Sequence, residues 1–190
     1  MFIRAVDDAL EKLIRAELPL SDDAGDVTFD APSSKWSAQL SRLTVNLFLY
    51  DVSRSNHPAR SSTQRIDPTG RLERRPPQPM IALSYLVSAW AGSPRDEHQL
   101  LGEVLSRLTV TPVLPEQHLE HELASQVQLA VGGNDRDKPR EIWVAAGGQV
   151  KASFILVATV AAESFDWAEA AAAVQEVSVL SAPVPEGVAG

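Results

Sequence analysis

The 190-residue chain contains no cysteine, so it can hold no disulfide, present no thiolate nucleophile and bind no zinc through sulfur. It contains no run approaching the roughly 18 to 20 uninterrupted apolar residues that a spanning helix needs. The opening stretch MFIRAVDDALEKL carries acids where a secretory leader would be apolar, so the expectation is a soluble, unprocessed chain with no membrane insertion. No G-x-S-x-G elbow, G-x-x-x-x-G-K-S/T phosphate loop or G-x-G-x-x-G turn occurs, which leaves an enzyme reading without a foothold and implies no cofactor. Positive charge is scarce: 17 Lys and Arg stand against 25 Asp and Glu, for a net charge of -8. That balance argues against general nucleic-acid binding, because phosphate affinity rests on Lys and Arg.

What is present is a globular composition, 44% hydrophobic and 22% charged, long enough for one sizeable core. Ile3, Val6, Leu10, Leu13, Ile14 and Leu18 recur at spacings of three and four and predict a helix stopped by Pro19. A turn-rich connector follows, with a short strand at Val27 to Phe29. Leu43, Val45, Leu47 and Leu49 alternate with Thr44, Asn46, Phe48 and Tyr50, and the even positions turn apolar, as in a strand buried on both faces. Ile81, Leu83, Tyr85, Val87 and Ala89 predict a second long strand. The helix after it has the clearest start in the chain: Ser93 can cap, Pro94 suits the first position and Asp96 sits three residues after the cap. Further elements are expected as a short helix from Glu116 to Ser125, a strand from Val127 to Val131, a helix from Lys138 to Ala146 stopped by Gly147 and Gly148, and a strand from Lys151 to Ala162. This order gives an α+β fold with a mixed or antiparallel sheet and helices packed on one face. Residues 1–162 form the domain and residues 163–190 a C-terminal arm.

Two clusters bear on chemistry. His118 and His121, with Glu116, Glu120 and Glu122 beside them, have spacing that can hold a metal on a helix face, but they fit neither zinc hydrolase order and read as a solvated face, so no metal site is expected. Residues 53–79 read as a long loop, nearly devoid of large apolar residues. Arg54, Arg60, Arg65, Arg71, Arg74 and Arg75 face only Asp67 and Glu73 there, a net +4 that leaves -12 for the rest of the chain. Such a loop is a mobile surface segment, a docking site for an acidic protein surface or, with no interleaved aromatics, less fittingly a nucleic-acid contact. Trp90 ends an apolar strand and reads as core; Phe165 and Trp167 in the arm are candidate exposed anchors.

Taken in order, IRAVDDALEKLI, LFLYDV with its Arg-bearing sequel, and PMIALSYLVSAWAGSPRDEHQLLGEVLSRLTVTPVLP resemble the tail-terminator, or cap, proteins of phage-tail-like contractile injection systems. The resemblance covers about Ile3 to Ala162 and is most specific from Leu83 to Pro115, with YLVSAWA, LLG and PVLP. It implies a non-enzymatic structural subunit that joins further copies of itself, typically as a six-fold ring, on the inner tube and contractile sheath, ending polymerisation. It implies partnership with tube and sheath subunits, assembly in a bacterial cytoplasm and a place in the finished particle. The six arginines, with Phe165 and Trp167, then become interface candidates, and the chain is expected to lack the large C-terminal extension of some relatives. The alternative is a monomeric adaptor that recruits a partner to the particle.

Overall fold

In a computed structural model of the chain, residues 2–18, 24–59, 61–120, 123–132, 139–162 and 166–170 are described. The elements, in order, are α1 (Phe2–Glu17), β1 (Gly25–Thr28), α2 (Ser34–Ser37), β2 (Leu43–Arg54), β3 (Thr63–Ile66), β4 (Leu72–Arg75), β5 (Met80–Trp90), α3 (Pro94–Val110), β6 (Gln128–Val131), α4 (Pro139–Ala145), β7 (Ser153–Ala161) and β8 (Ala168–Glu169). They form an α+β fold with a five-stranded mixed sheet, order β1-β2-β5-β7-β6, and a separate three-stranded sheet, order β3-β4-β8.

The main sheet is built around β5. Leu47 of β2 lies opposite Val87, and Tyr85 lies opposite Leu156 of β7. β1 is the one parallel partner, with Val27 beside Val45. Because side chains alternate along a strand, β5 serves two cores. Leu83, Tyr85, Val87 and Ala89 face α1 and α3, where Val6, Leu10, Leu13, Ile14, Leu100, Val104 and Leu108 are buried. Leu86 faces the other way, against Ile155 of β7 and Trp143 of α4. The two long helices therefore share one face, as the pattern requires, and the short α4 closes part of the other. Each fully buried Leu or Val contributes roughly 1.5–3 kcal/mol of transfer free energy, so this double layer is the main source of stability.

Local signals explain the boundaries. Ser93 accepts a hydrogen bond from the Asp96 amide with Pro94 at the first position of α3, as its sequence dictates. α4 ends in a paired motif in which Gly147 donates to the Val144 carbonyl and Gly148 to that of Trp143, with Gly147 at φ +71°. α1 ends at Glu17; Pro19 lies outside the described residues, as do Arg60, His121, Lys138 and Phe165.

Two expectations are corrected. Among the described residues from Glu116 to Ser125 no α-helix forms: a single 3-10 turn, Glu116–His118, stands at the start. The following chain is drawn to the sheet instead, where the Ser125 hydroxyl accepts from the Ala161 amide of β7 and Leu114 donates to the Val127 carbonyl. The stretch 53–79 is not a loop throughout. β2 runs on to Arg54, and β3 and β4 form an antiparallel hairpin within it.

Candidate functional site

The hairpin is made by its turn. Asp67, Pro68, Thr69 and Gly70 place Asp at the first position, Pro at the second and Gly at the fourth, which is the signature of a type I turn closed by a left-handed residue. Gly70 adopts φ +87° and donates to the Asp67 carbonyl at 3.0 Å, while the Asp67 amide donates to the Arg71 carbonyl at 2.8 Å. The Asp67 carboxylate accepts from the Arg71 amide at 2.7 Å and from the Thr69 hydroxyl. These bonds to the charged form hold it below the usual carboxylate range.

Alternation then sorts the side chains onto two faces. Arg65, Glu73 and Arg75 share one face, where Arg65 pairs with Glu73 at 2.8 Å. β8 adds to the edge of β4, with Glu169 beside Glu73 and Ala168 beside Arg74. This brings the Trp167 ring beneath the Arg65 guanidinium at 4.3 Å and within 5.7 Å of that of Arg75. Such cation–π contacts contribute roughly 0.5–1 kcal/mol each at exposed sites. Trp167 is half-buried on the chain's own hairpin, so its ring is already engaged within the subunit. The opposite face carries Gln64, Ile66, Leu72 and Arg74, all exposed. Ile66 is 72% and Leu72 44% accessible, an apolar cross-strand pair with no cover.

Of the arginines singled out in the sequence, Arg65, Arg74 and Arg75 lie on the hairpin, Arg71 follows its turn and Arg54 ends β2. Arg60 and Phe165 lie outside the described residues. Sequence reading missed the pairing of Glu73 with Arg65 on one face of the hairpin and of Ile66 with Leu72 on the other, although the Asp-Pro-Thr-Gly turn was in plain view.

Elsewhere the polar groups bear on architecture. Trp90 packs edge-on against Trp36 at 5.4 Å and against Trp143 at 6.0 Å, with Lys151 over its face at 3.9 Å. Lys151 also pairs with Glu97 of α3. The Tyr85 hydroxyl donates to Asp7 of α1 at 2.7 Å. Among the described residues no group of three or more His, Asp or Glu side chains is placed to hold a metal ion; the reading of His118 with His121 falls partly outside them. No helix is long and apolar enough to cross a membrane among the described residues. An open groove of about 840 Å³ runs between the end of α1 and the outer face of α3, lined by Glu17, Leu18, Gly102, Glu103, Ser106 and Val110 among others.

Two solved structures share this fold. The sheath/tube terminator of the extracellular contractile injection system PVC, in its extended state, aligns over 97% of this chain with a TM-score of 0.64 and 21% identity. The tube-terminating cap of the anti-feeding prophage aligns over 94% with a TM-score of 0.57 and 19% identity. The chain spans 65% and 60% of the lengths of those two proteins. No curated protein sequence matches it. The sequence profile of the Pvc16 N-terminal domain matches residues 5–176, covering all but the first two residues of the region on which the sequence resemblance rests and continuing past Ala162 through β8. The chain belongs to the Pvc16 N-terminal domain family.

Proposed function

We propose that the chain is a non-enzymatic structural terminator, which assembles as a ring of about six copies at the end of the inner tube and contractile sheath of an injection particle and stops their growth. Family membership and the shared fold of two terminator caps support this reading. The observation that carries it here is the arginine hairpin. A three-stranded sheet that is locked by a turn, an ion pair and an aromatic ring, yet leaves Ile66 and Leu72 uncovered, contributes little to its own subunit's core. Exposed, ordered apolar surface rimmed by charge is the mark of a contact made with another chain. Arg54, Arg65, Arg71, Arg74 and Arg75, together with the Trp167 that braces Arg65 and Arg75, supply its charge and rigidity. Assembly takes place in the bacterial cytoplasm, and the ring stays with the released particle.

The test is the mass of the purified chain by light scattering across a concentration series, with negative-stain imaging, alone and with tube and sheath subunits. Closed rings, or rings formed only on the tube, support the proposal. The triple substitution Arg71→Glu, Arg74→Glu and Arg75→Glu is expected to block assembly, and normal particles from that variant would remove the hairpin from the contact. A chain that stays monomeric and fails to co-purify with either subunit favours the adaptor instead.

A further inference from the structure

The hairpin and the α1/α3 groove are opposite in character and are both uncovered in the single subunit. The hairpin's outer face is apolar and basic, with Ile66, Leu72 and Arg74 exposed. The groove is apolar and acidic: Val110, 73% accessible, and Leu18, buried at 7% in its floor, lie among Glu17 and Glu103. Its depth comes from Gly102 and Ser106, small residues spaced a turn apart on α3 before Val110. Arg107 also borders the groove, but it pairs with Glu17 at 3.7 Å. Glu103 accepts its hydrogen bond from the neutral Gln99 amide at 3.1 Å, so its charge stays available to a second chain.

We infer that the outer face of the β3–β4 hairpin seats in the α1/α3 groove of a second copy of this chain, with Ile66 and Leu72 against the exposed Val110 and with Arg74 toward Glu103. The proposal rests on the ring reading and names its contact. Charge complementarity selects the occupant, since Arg74 is the cation of the hairpin's outer face and Glu103 is a groove carboxylate bonded to the neutral Gln99 amide. The two surfaces are different patches, so each copy can offer its hairpin to one neighbour and its groove to another, and such a head-to-tail contact makes a ring where its rotation closes. The ion pair, the turn and Trp167 hold the hairpin in place beforehand, which lowers the ordering cost of docking.

The absence of cysteine makes a clean trap. A double variant, Leu72→Cys with Val110→Cys, is oxidised and run without reductant beside a control that joins Leu72→Cys to Val144→Cys. Val144 is equally exposed but lies on α4, across the main sheet. The expected result is a ladder of linked chains from the first pair, at least about fivefold stronger than from the control, that collapses on reduction. As a second measurement, Arg74→Glu or Glu103→Arg alone is expected to weaken self-association, and the two together to restore it. Equal ladders, or none from the first pair while the cysteine-free chain forms rings, overturns this contact and leaves the ring reading standing. A cysteine-free chain that is monomeric both alone and with tube and sheath subunits overturns the ring reading, and this contact with it.

Discussion

The hydroxyl of Tyr85 meets the carboxylate of Asp7 at 2.7 Å, and this bond ties the first helix to the middle strand of the sheet. Tyr85 is fully buried, and Asp7 sits half-buried beside it with Asp8 next in sequence. Burial raises the Asp7 pKa, against the lowering by the Tyr85 hydroxyl, and the neighbouring Asp8 charge raises it further. An acid whose folded pKa lies above its unfolded value binds more protons in the folded state. It therefore favours folding at low pH and loses that contribution as pH rises from 3.8 through the raised value. Asp7→Asn keeps an acceptor for Tyr85 and removes the titration, so urea unfolding at a series of pH values should show a flatter profile from about pH 4 upward, with stability near neutrality unchanged or higher. Tyr85→Phe, by contrast, strands the carboxylate and should cost roughly 1–3 kcal/mol. Equal pH profiles for Asp7→Asn and the parent would refute this account.

The turn of the hairpin depends on Gly70 at φ +87°. A side chain in the left-handed region costs roughly 1–2 kcal/mol, and nothing lies within 4 Å of a Cβ placed there, so the cost of Gly70→Ala is conformational. Because β3 and β4 lie outside the main sheet, the global unfolding midpoint should barely move. Amide hydrogen exchange should instead speed up about tenfold across Thr63 to Arg75, while β5 and β7 keep their protection. The Asp67 carboxylate adds a pH signature: its lowered pKa means that its support of the turn is present at neutral pH and is lost as pH falls below 3.8 through the depressed value.

Trp167 braces Arg65 and Arg75 from beneath. Trp167→Ala removes both cation–π contacts and loosens the join of β8 to β4. The hairpin offers trypsin several arginines, and cleavage follows local opening. Limited trypsin digestion should therefore cut the variant within residues 54–75 several times faster than the parent. Unchanged cleavage would mean that the ring contributes nothing to the order of the hairpin.

Legibility in the sequence followed the range of the interactions. α3 was plain because Ser93, Pro94 and Asp96 act within one turn, and β2, β5 and β7 were plain because burial on both faces writes an apolar run of strand length. The hairpin was hidden because no residue of TQRI or LERR is fully buried and the half-covered positions of LERR are the charged Glu73 and Arg75, so hydrophobic alternation has nothing to report there. Only the Asp-Pro-Thr-Gly turn announced it. The contact of Trp167 with Arg65 joins residues a hundred positions apart and leaves no local trace. The expected helix after Glu116 was lost for a tertiary reason, since Ser125 and Val127 satisfy backbone groups at the sheet edge.

Gly148 stands where two layers touch. A Cβ there would lie 2.1 Å from the Pro32 carbonyl oxygen and 3.0 Å from the Trp143 ring. The first neighbour is backbone, which cannot rotate aside, and the second is a fully buried ring fixed by its Nε1 bond to Ser153 at 3.0 Å. Gly148→Ala should therefore cost at least the 1–3 kcal/mol typical of overpacking. The midpoint of thermal unfolding should fall by several degrees, with a changed near-ultraviolet tryptophan signal.

Glu97, Lys151 and Trp90 form a unit that fastens the start of α3 to the start of β7. Lys151 lies over Trp90 and pairs with Glu97, whose carboxylate also accepts from the Ala91 amide at 3.4 Å. Their side chains are only 20% and 16% accessible, so neither charge is well solvated once its partner is gone. Lys151→Met leaves Glu97 partly buried with one backbone donor, and Glu97→Gln leaves Lys151 on the indole face alone. Each single change should destabilise, and Lys151→Met should do so more, because an isolated carboxylate loses its cation while the ammonium retains the ring. The double variant should lose less than the sum of the two, by a coupling of about 0.5–3 kcal/mol. Strict additivity in denaturant unfolding would show that the pair behaves like a solvated surface bridge, and that the fastening of α3 rests on its Ser93 cap and apolar stripe alone.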